Sequence, residues 1–269
     1  MSSSSAPSSR RWSLPVEDDW STPFAEVLLA QLDLRPGLTI LDIACGHGIP
    51  AFYLAEQVGP TGSVTGIDAS RGQIASARTI QRGDLPWLRF ECLDMRALPA
   101  SLPTFQRITG NLSVMFLRPH RCEAMRGLIE HLEPGGQVVL TFPSLGTFDS
   151  MWQRIDQEMS RHGLTIERER LAAHVAERPS AAEARGWLER LDMERIAVVE
   201  RPLEVASGSG QRFLQHPLLR GGFLDDAYEC FEDAGLADEV MTRVSMDLES
   251  MTPLLAQRCA LSGWKPGKG

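Results

Sequence analysis

The sequence lacks several features that would assign it to a specialised class of protein. No apolar run reaches the roughly 18 residues that a membrane-spanning helix needs. The five cysteines are odd in number and form no Cys-x-x-Cys motif, so neither a disulfide framework nor a zinc site is encoded. Lysine occurs only at Lys265 and Lys268, a composition bias that indicates no site. We therefore expect a protein of the reducing cytoplasm that holds no metal.

Positive charge is also scarce. The chain has 27 lysines and arginines against 35 aspartates and glutamates, which leaves a net charge of −8. The basic residues are spread along the chain, whereas a nucleic-acid surface needs clustered positive charge to neutralise phosphates. We expect no nucleic-acid partner.

What is present is enough apolar material for a large core. Hydrophobic residues make up 43% of the 269 positions, which excludes a disordered or collagen-like protein. The serine-rich residues 1–15 are expected to be a disordered leader, and residues 16–269 to form one large domain with helical additions.

Strand and helix patterns alternate through the first half of the chain. Parallel strands need helical crossovers between them, so this alternation predicts an α/β fold with a doubly wound, mainly parallel sheet. The predicted strands are 39–43, 64–67, 87–92, 105–111 and 137–142, and the predicted helices are 22–34, 49–58, 71–81 and 119–131.

The alternation stops after Pro143. Helices are predicted over 148–162, 167–176 and 181–191, strands over 196–205 and 255–264, and mostly helical structure over 208–249. Pro202 cannot donate a ladder hydrogen bond, which predicts an edge or bent strand. Together these strands make a seven-stranded sheet, with 144–179 and 207–250 as helical insertions on the substrate side.

The strongest local signal is the segment Leu41–Gly48, where a strand runs into a helix. Gly46 and Gly48 let the backbone turn tightly and approach a ligand, and the following helix offers free N–H groups. The segment predicts a site for a nucleotide-like ligand. A Gly-x-Gly that only makes a tight turn is the structural alternative.

Two acidic residues follow the next strands. Asp68 lies 20 residues after Gly48, where a carboxylate can accept both ribose hydroxyls of an adenosine; a helix cap is its alternative. Asp94 can accept from the exocyclic amine of an adenine or serve only to cap its loop. Because ends of parallel strands meet at one edge of a sheet, the glycine segment and both acids should share a crevice.

Taken together, Asp42, Gly46, Gly48, Asp68, Asp94 and the turn Leu132–Gly136 resemble the motifs of class I S-adenosylmethionine-dependent methyltransferases, in the family's order over about residues 22–142. The likeness is greatest to the small-molecule branch that includes the ubiquinone and menaquinone C-methyltransferases. It implies S-adenosylmethionine as cofactor and in-line methyl transfer to a small or lipid-like acceptor. Gln106, where relatives usually carry Asp, and Asn111 depart from the pattern.

The resemblance implies a set of cofactor-binding residues at the strand ends. Asp42 would reach the amino group of the methionine moiety directly or through water, Asp68 would bind the ribose, and Asp94 would lie beside the adenine. The full set is Asp42, Ala44, Cys45, Gly46, His47, Gly48, Asp68, Ala69, Leu93, Asp94, Met95 and Asn111.

Other functions fit part of the pattern. Gly46-x-Gly48-x-x-Ala51 also satisfies a dinucleotide fingerprint, so an NAD(P)-dependent oxidoreductase is an alternative, although a dinucleotide has no ammonium for Asp42. A non-catalytic S-adenosylmethionine-binding module is a second alternative, because the motifs describe cofactor binding only. Metalloid methylation by thiolates of Cys45, Cys92 and Cys122 is disfavoured, since buried cysteines usually act as small hydrophobes.

The acceptor site is less defined by the sequence. No catalytic base is assigned, because methyl transfer from a sulfonium mainly requires the acceptor to be held close, aligned and dry. Arginines 118, 121 and 220 can meet an anionic group. The apolar lining of a lid is hypothesised to comprise Met151, Trp152, Met159, Leu214, Leu218, Leu219 and Phe223. The alternative is an ordinary core face, which such helical spacing of methionine and aromatic residues more often indicates. A homodimer is compatible with the sequence, which does not determine the oligomeric state.

Overall fold

A computed structural model describes residues 20–81, 83, 85–205, 225–248, 250 and 253–267. The leader predicted over 1–15 lies outside these residues, as do Leu214, Leu218, Leu219, Arg220 and Phe223.

The core of the molecule is a seven-stranded sheet in the order β3-β2-β1-β4-β5-β7-β6. Only β7 runs antiparallel to its neighbours, β5 and β6, while the other pairs are parallel. The strands are β1 Thr39–Ile43, β2 Ser63–Asp68, β3 Leu88–Cys92, β4 Phe105–Gly110, β5 Leu132–Pro143, β6 Glu194–Val205 and β7 Leu254–Trp264. This confirms the predicted α/β class and the seven mainly parallel strands.

Helices cover both faces of the sheet. They are α1 Ser21–Gln31, α2 Ala51–Val58, α3 Arg71–Ile80, α4 Arg121–Glu130, α5 Asp149–Arg161, α6 Thr165–Ala176, α7 Ala181–Glu189, α8 Asp225–Tyr228 and α9 Ala234–Leu248, with a 3₁₀ turn at Val114–Leu117. Side chains alternate along each strand, so Ile40 faces the core beneath α1, α2 and α3 whereas Leu41 faces the core beneath α4 and α7. The sheet is therefore buried on both sides, as expected for parallel strands.

Boundaries differ from the predictions at a few places. The helix predicted from Pro119 begins at Arg121, and the strand predicted from Gln137 begins at Leu132, because Leu132 already pairs with Phe105 ahead of a register shift. Pro202 lies on β6 at the sheet edge, opposite Gln257, which confirms its predicted position.

A separate apolar cluster lies next to the end of β5 and the start of β7. It joins α1, α5 and α9, and Phe24, Phe148 and Val240 are almost fully buried in it. Trp20 stacks on two of its rings, with centroid distances of 5.0 Å to Phe24 and 5.4 Å to Phe148. The helical segment after β5 therefore has a core of its own.

Gln106 has a structural role that explains its departure from the family pattern. Its side-chain oxygen accepts from the Thr39 N–H at 3.1 Å, and its own N–H donates to the Thr39 hydroxyl at 3.2 Å. These bonds join the amino ends of β1 and β4, whereas ligands bind at the carboxyl ends of such strands. Gln106 therefore does not bear on the substrate.

The central position of β4 predicts a large cost for truncating its core face. Ile108 is fully buried between Leu41 and Val138, so Ile108→Ala should lower the free energy of unfolding by about 2–5 kcal/mol in urea titrations. The matched variant Leu255→Ala removes a side chain that is 47% exposed on β7 and should change stability by less than about 1 kcal/mol. Equal losses in the two variants would contradict this assignment of the core.

Candidate functional site

A cleft of about 1050 Å³ opens along the carboxyl ends of the parallel strands. Its walls come from the segments that follow β1, β2, β3 and β4, from the end of β5, and from the end of α6. The strand order reverses between β1 and β4, and such a switch point is where open α/β sheets bind ligands. Its volume is at the upper end of the range for single-ligand pockets, which leaves room for two small ligands.

The glycine segment forms the floor of the cleft beside β1. Gly46 has φ of 54°, and a Cβ there would meet nothing nearer than Gln73 Oε1 at 3.9 Å, so the bare backbone faces open space. Gly48 has φ of 108°, but a Cβ there would come within 2.3 Å of the Phe52 ring. Gly46 lines the cleft and Gly48 does not. The lack of a side chain at Gly48 thus serves packing against α2, and the expectation that Gly48 also approaches a ligand stays a prediction.

Asp68 connects the glycine segment to β2. Its Oδ2 accepts from the Gly46 N–H at 3.0 Å and its Oδ1 accepts from the Ser70 N–H at 2.8 Å. The N-cap of α3 is Ser70, whose hydroxyl accepts from the Gln73 N–H at 3.3 Å, so Asp68 is not itself the cap. Asp68 lines the cleft, and each carboxylate oxygen has a further lone pair for a ligand.

Asp94 lines the same cleft in a fork with Arg96. The guanidinium donates from Nη2 to Oδ2 at 2.7 Å and from Nε to Oδ1 at 3.0 Å. These bonds hold the pKa of Asp94 below its usual value. Asp94 and Arg96 therefore present an ion pair to the cleft. A ligand amine that binds Asp94 shares the carboxylate oxygens of Asp94 with Arg96.

Asp42 lies behind the glycine segment and not on the cleft wall. The Thr109 hydroxyl donates to its Oδ1 at 2.7 Å, whereas no hydrogen-bond donor among the described residues reaches its Oδ2. Burial raises the pKa of this carboxyl to about 7, against the hydrogen bond from Thr109 and with a further contribution from Asp68. The side chain of Asp42 is fully buried, and the expected contact with a ligand, direct or through water, stays a prediction.

The other predicted residues all reach the cleft. Asn111 does so at the end of β4, with its side chain held at both ends: its amide donates to the Ser21 carbonyl at 2.9 Å and its oxygen accepts from Thr141 at 2.8 Å. Through these two hydrogen bonds, Asn111 connects α1 to β5. The remaining predicted residues on the wall are Ala44, Cys45, His47, Ala69, Leu93 and Met95.

The thiols of Cys45, Cys92 and Cys122 are not arranged to hold a metalloid in the cleft. Burial, with the charges of Asp42 and Asp68, raises the pKa of Cys45, so its thiol is protonated. Cys92 and Cys122 do not line the cleft. No group of three or more potential metal ligands occurs among the described residues.

The lid differs most from the prediction. Met151, Trp152 and Met159 are buried in the cluster of α1, α5 and α9, so their assignment to the acceptor lining was wrong. Their helical spacing marked a core face. This part of the cleft wall is instead formed by the end of α6 and by the segment after β4, through Leu112, Met115, Phe116, Pro119, His174, Glu177, Arg178 and Pro179. The exposure of Phe116 could not be read from the sequence, since apolar residues usually indicate core.

Two of the predicted arginines lie at this end of the cleft. Arg118 forms an ion pair with Glu177 at 2.6 Å, and Arg121 donates to the Glu177 carbonyl at 2.9 Å. Arg178 stacks over Trp152, with 4.3 Å from its Cζ to the ring centroid.

The chain is similar to known methyltransferases. Residues 40–136 match the family described as "Methyltransferase domain", which confirms the resemblance inferred from the motifs. Methyltransferase GfsG of Streptomyces halstedii is 29% identical over 180 residues, covering 66% of this chain and 62% of that protein. A 2-phytyl-1,4-naphtoquinone methyltransferase of Thermosynechococcus vestitus is 29% identical over 180 residues, covering 61% and 76%.

Other relatives share less of their length or only the fold. A tRNA (guanine(6)-N2)-methyltransferase of Thermus thermophilus is 35% identical over 144 residues, covering 50% of this chain and 43% of that protein. The chain thus spans less than two thirds of the first curated relatives it matches. The structure of phosphoethanolamine N-methyltransferase 2 of Haemonchus contortus with S-adenosylmethionine aligns with a TM-score of 0.55 at 15% identity, covering 92% and 53%, and shows the shared fold.

The buried Asp42 predicts a pH dependence of stability. Between pH 3.8 and about 7 the folded state keeps a proton that the unfolded chain has released, so stability falls as pH rises through this window and levels off above it. Asp42→Asn keeps an acceptor for Thr109 but has no proton to lose. Its stability relative to the parent protein should therefore increase over this window by at most about 1.4 kcal/mol per pH unit, in urea titrations at several pH values.

The exposed Asp238 on α9 provides the control. Asp238→Asn makes the same chemical change at a surface position and is measured beside Asp42→Asn. A stability profile of Asp42→Asn that runs parallel to that of the parent protein would contradict the raised pKa of Asp42.

Proposed function

We propose that this chain, whose residues 40–136 match the family described as "Methyltransferase domain", is an enzyme that transfers a methyl group from S-adenosylmethionine to a small-molecule or lipid-like acceptor. The observation that carries the proposal is the cleft at the switch point of the sheet. The backbone of Gly46, the carboxylate of Asp68 that accepts from the Gly46 N–H, and the Asp94–Arg96 ion pair all line this cleft. The order of the motifs in the sequence predicts such a shared crevice.

The residues on the β1–β3 side fit this cofactor. Gly46 leaves open space where a Cβ would intrude, and Asp68 retains lone pairs for the two ribose hydroxyls. Leu93 and Met95 offer apolar surface beside Asp94 for an adenine ring. The buried Oδ2 of Asp42 lacks a hydrogen-bond partner among the described residues. It can accept a hydrogen bond from the ammonium group of the cofactor, or from a water that bridges to that group. Ala44, Cys45, His47, Ala69 and Asn111 complete the proposed contact set.

The chemistry asks little of the protein beyond position. S-adenosylmethionine supplies a methyl group that is already activated by the positive sulfur. The chain's own residues hold the acceptor in line and keep water away, which Met115, Phe116 and Pro119 can do as apolar members of the wall. His47 is not placed as a base, since its Nε2 is buried away from solvent without a partner among the described residues. No residue is assigned a proton-transfer role.

The shape and position of the cleft favour a small acceptor. Its volume accommodates the cofactor and one further small ligand, and α6 and the segment after β4 form part of its wall. We further propose that the protein works in a reducing cytoplasm, because the five cysteines form no disulfides. No helix of the described residues is both long and apolar enough to cross a membrane. That the protein has no nucleic-acid partner stays a prediction, and so does a homodimeric state.

Ligand-induced stabilisation tests the cofactor assignment. A ligand that binds only the folded state raises the melting temperature, so S-adenosylhomocysteine should raise it in a concentration-dependent way and NAD should not. Stabilisation by NAD alone would replace the proposal with a dinucleotide enzyme. Stabilisation by S-adenosylhomocysteine, without its release from S-adenosylmethionine in any metabolite pool, would indicate a non-catalytic binding module.

The ribose role of Asp68 predicts a specific loss of affinity. Asp68→Ala removes charge-assisted hydrogen bonds and the latch on Gly46, so the dissociation constant for S-adenosylhomocysteine should rise about 10- to 100-fold in calorimetric titrations. Asp238→Ala, at an exposed position of α9, is the matched control and should bind as the parent protein does. Unchanged affinity in Asp68→Ala would refute the ribose role.

A further inference from the structure

The charges that line the cleft are divided along the sheet edge. On the β1–β3 side the acidic residues are Asp68 and Asp94, with one arginine, Arg96. On the β4–β5 side three arginines, Arg118, Arg121 and Arg178, stand with a single carboxylate, Glu177. The side left for the acceptor is therefore cationic, although the protein as a whole carries a net charge of −8. A cationic pocket in an acidic protein favours anions locally.

Arg121 is the residue of this group best placed to bind a ligand. It is the first residue of α4, its Nη2 donates to the Glu177 carbonyl, and its Nε is buried with no acceptor among the described residues. Its hydrogen bond thus goes to a neutral backbone group, while the Glu177 carboxylate is bonded to Arg118 at 2.6 Å. The guanidinium retains donors for a further acceptor.

Glu183 on α7 is a second acid whose charge acts on Arg121, but its hydrogen bonds go to another residue. Glu183 accepts at 2.8 Å from both the N–H and the hydroxyl of Ser180, in a capping box at the start of α7. Burial, followed by the neighbouring charge of Arg118, lowers the pKa of Arg121, against the charges of Glu177 and Glu183, which raise it. An anionic ligand group bonded to the guanidinium would add to the compensation that these two carboxylates provide.

Apolar side chains surround this cationic end. Leu112, Met115, Phe116 and Pro119 line the wall next to the arginines, and the side chain of Phe116 is held 51% exposed. Polar groups that fix orientation within a mainly apolar pocket are the usual arrangement of a small-molecule site. The wall therefore matches a ligand that has an apolar body and one anionic end.

From these contacts, and resting on the proposed function, we propose that the methyl acceptor is an apolar carboxylic acid whose carboxylate is bound by Arg121. A planar guanidinium matches a carboxylate with two parallel hydrogen bonds, which a lysine cannot provide. The same bonds withdraw electron density from the carboxylate oxygens, so the carboxylate serves as the handle and the methyl group goes to another atom of the acceptor.

The test uses matched pairs of probes on the full chain loaded with S-adenosylhomocysteine. Benzoate with benzamide, 1-naphthoate with 1-naphthamide and decanoate with decanamide differ within each pair only in the charged end. Calorimetric titration should show that at least one acid binds, and binds at least about 10-fold more tightly than its amide. Equal binding of acid and amide, or no binding by any acid, would overturn the proposal.

Variants of Arg121 then locate the handle. Arg121→Gln should weaken the acid about 10- to 100-fold and leave the amide unchanged, and Arg121→Lys should fall between because it keeps the charge without the fork. Arg126→Gln changes an exposed arginine of the same helix outside the cleft and should bind the acid as the parent protein does. An unchanged acid affinity in Arg121→Gln would overturn the assignment.

The outcomes separate this proposal from the one on which it rests. Arg121→Gln should bind S-adenosylhomocysteine normally, because its effect is confined to the acceptor end. If the parent protein fails to bind S-adenosylhomocysteine, the proposed function fails. If Arg121→Gln loses the cofactor product and the acid together, Arg121 supports the structure of the cleft and the acid-handle proposal fails alone.

Discussion

The carboxylate of Asp68 is the contact on which the geometry of the cleft depends. It accepts from the Gly46 N–H after β1 and from the Ser70 N–H ahead of α3, and so ties the glycine segment to the end of the neighbouring strand β2. Both bonds are charge-assisted and therefore stronger than neutral ones. They hold the glycine segment in a turn whose φ of 54° at Gly46 suits a residue without a side chain. The same carboxylate can thus shape the floor of the cleft and bind a ligand on it.

The sheet topology then divides the cleft into two sides with different chemistry. Strand order reverses between β1 and β4, so segments after β1, β2 and β3 lie to one side and those after β4 and β5 to the other. Acids predominate on the first side and arginines on the second. An enzyme that uses an activated methyl donor needs both ligands aligned and dry more than it needs a base. The proposed methyl transfer relies on such an arrangement, which a divided cleft with an apolar wall supports, and it assigns no proton carrier.

Local motifs predicted the cleft lining best for residues that directly follow a strand or that expose their backbone. Asp68, Asp94, Ala44 and Gly46 line one cleft, as their positions after successive strands required. Prediction failed where packing decides. Met151 and Trp152 have the spacing of a lining face, but α9 and α1 bury them. For Gly48, which faces the Phe52 ring, and for Asp42, which accepts from Thr109 behind the wall, contact with the cofactor stays a prediction. No sequence pattern reveals which apolar residue will find a partner.

The sequence by itself determined the strand alternation, the parallel sheet and the acids that end β2 and β3, because side-chain periodicity and glycine placement act over a few neighbouring residues. Only the tertiary structure decided that Gln106 ties β1 to β4 and that Asn111 clamps α1 to β5. It also placed Arg121 beside the end of α6, 56 residues along the chain at Glu177. Such contacts join segments distant in sequence, and the burial that determines their charge and bonding exists only after the chain has packed.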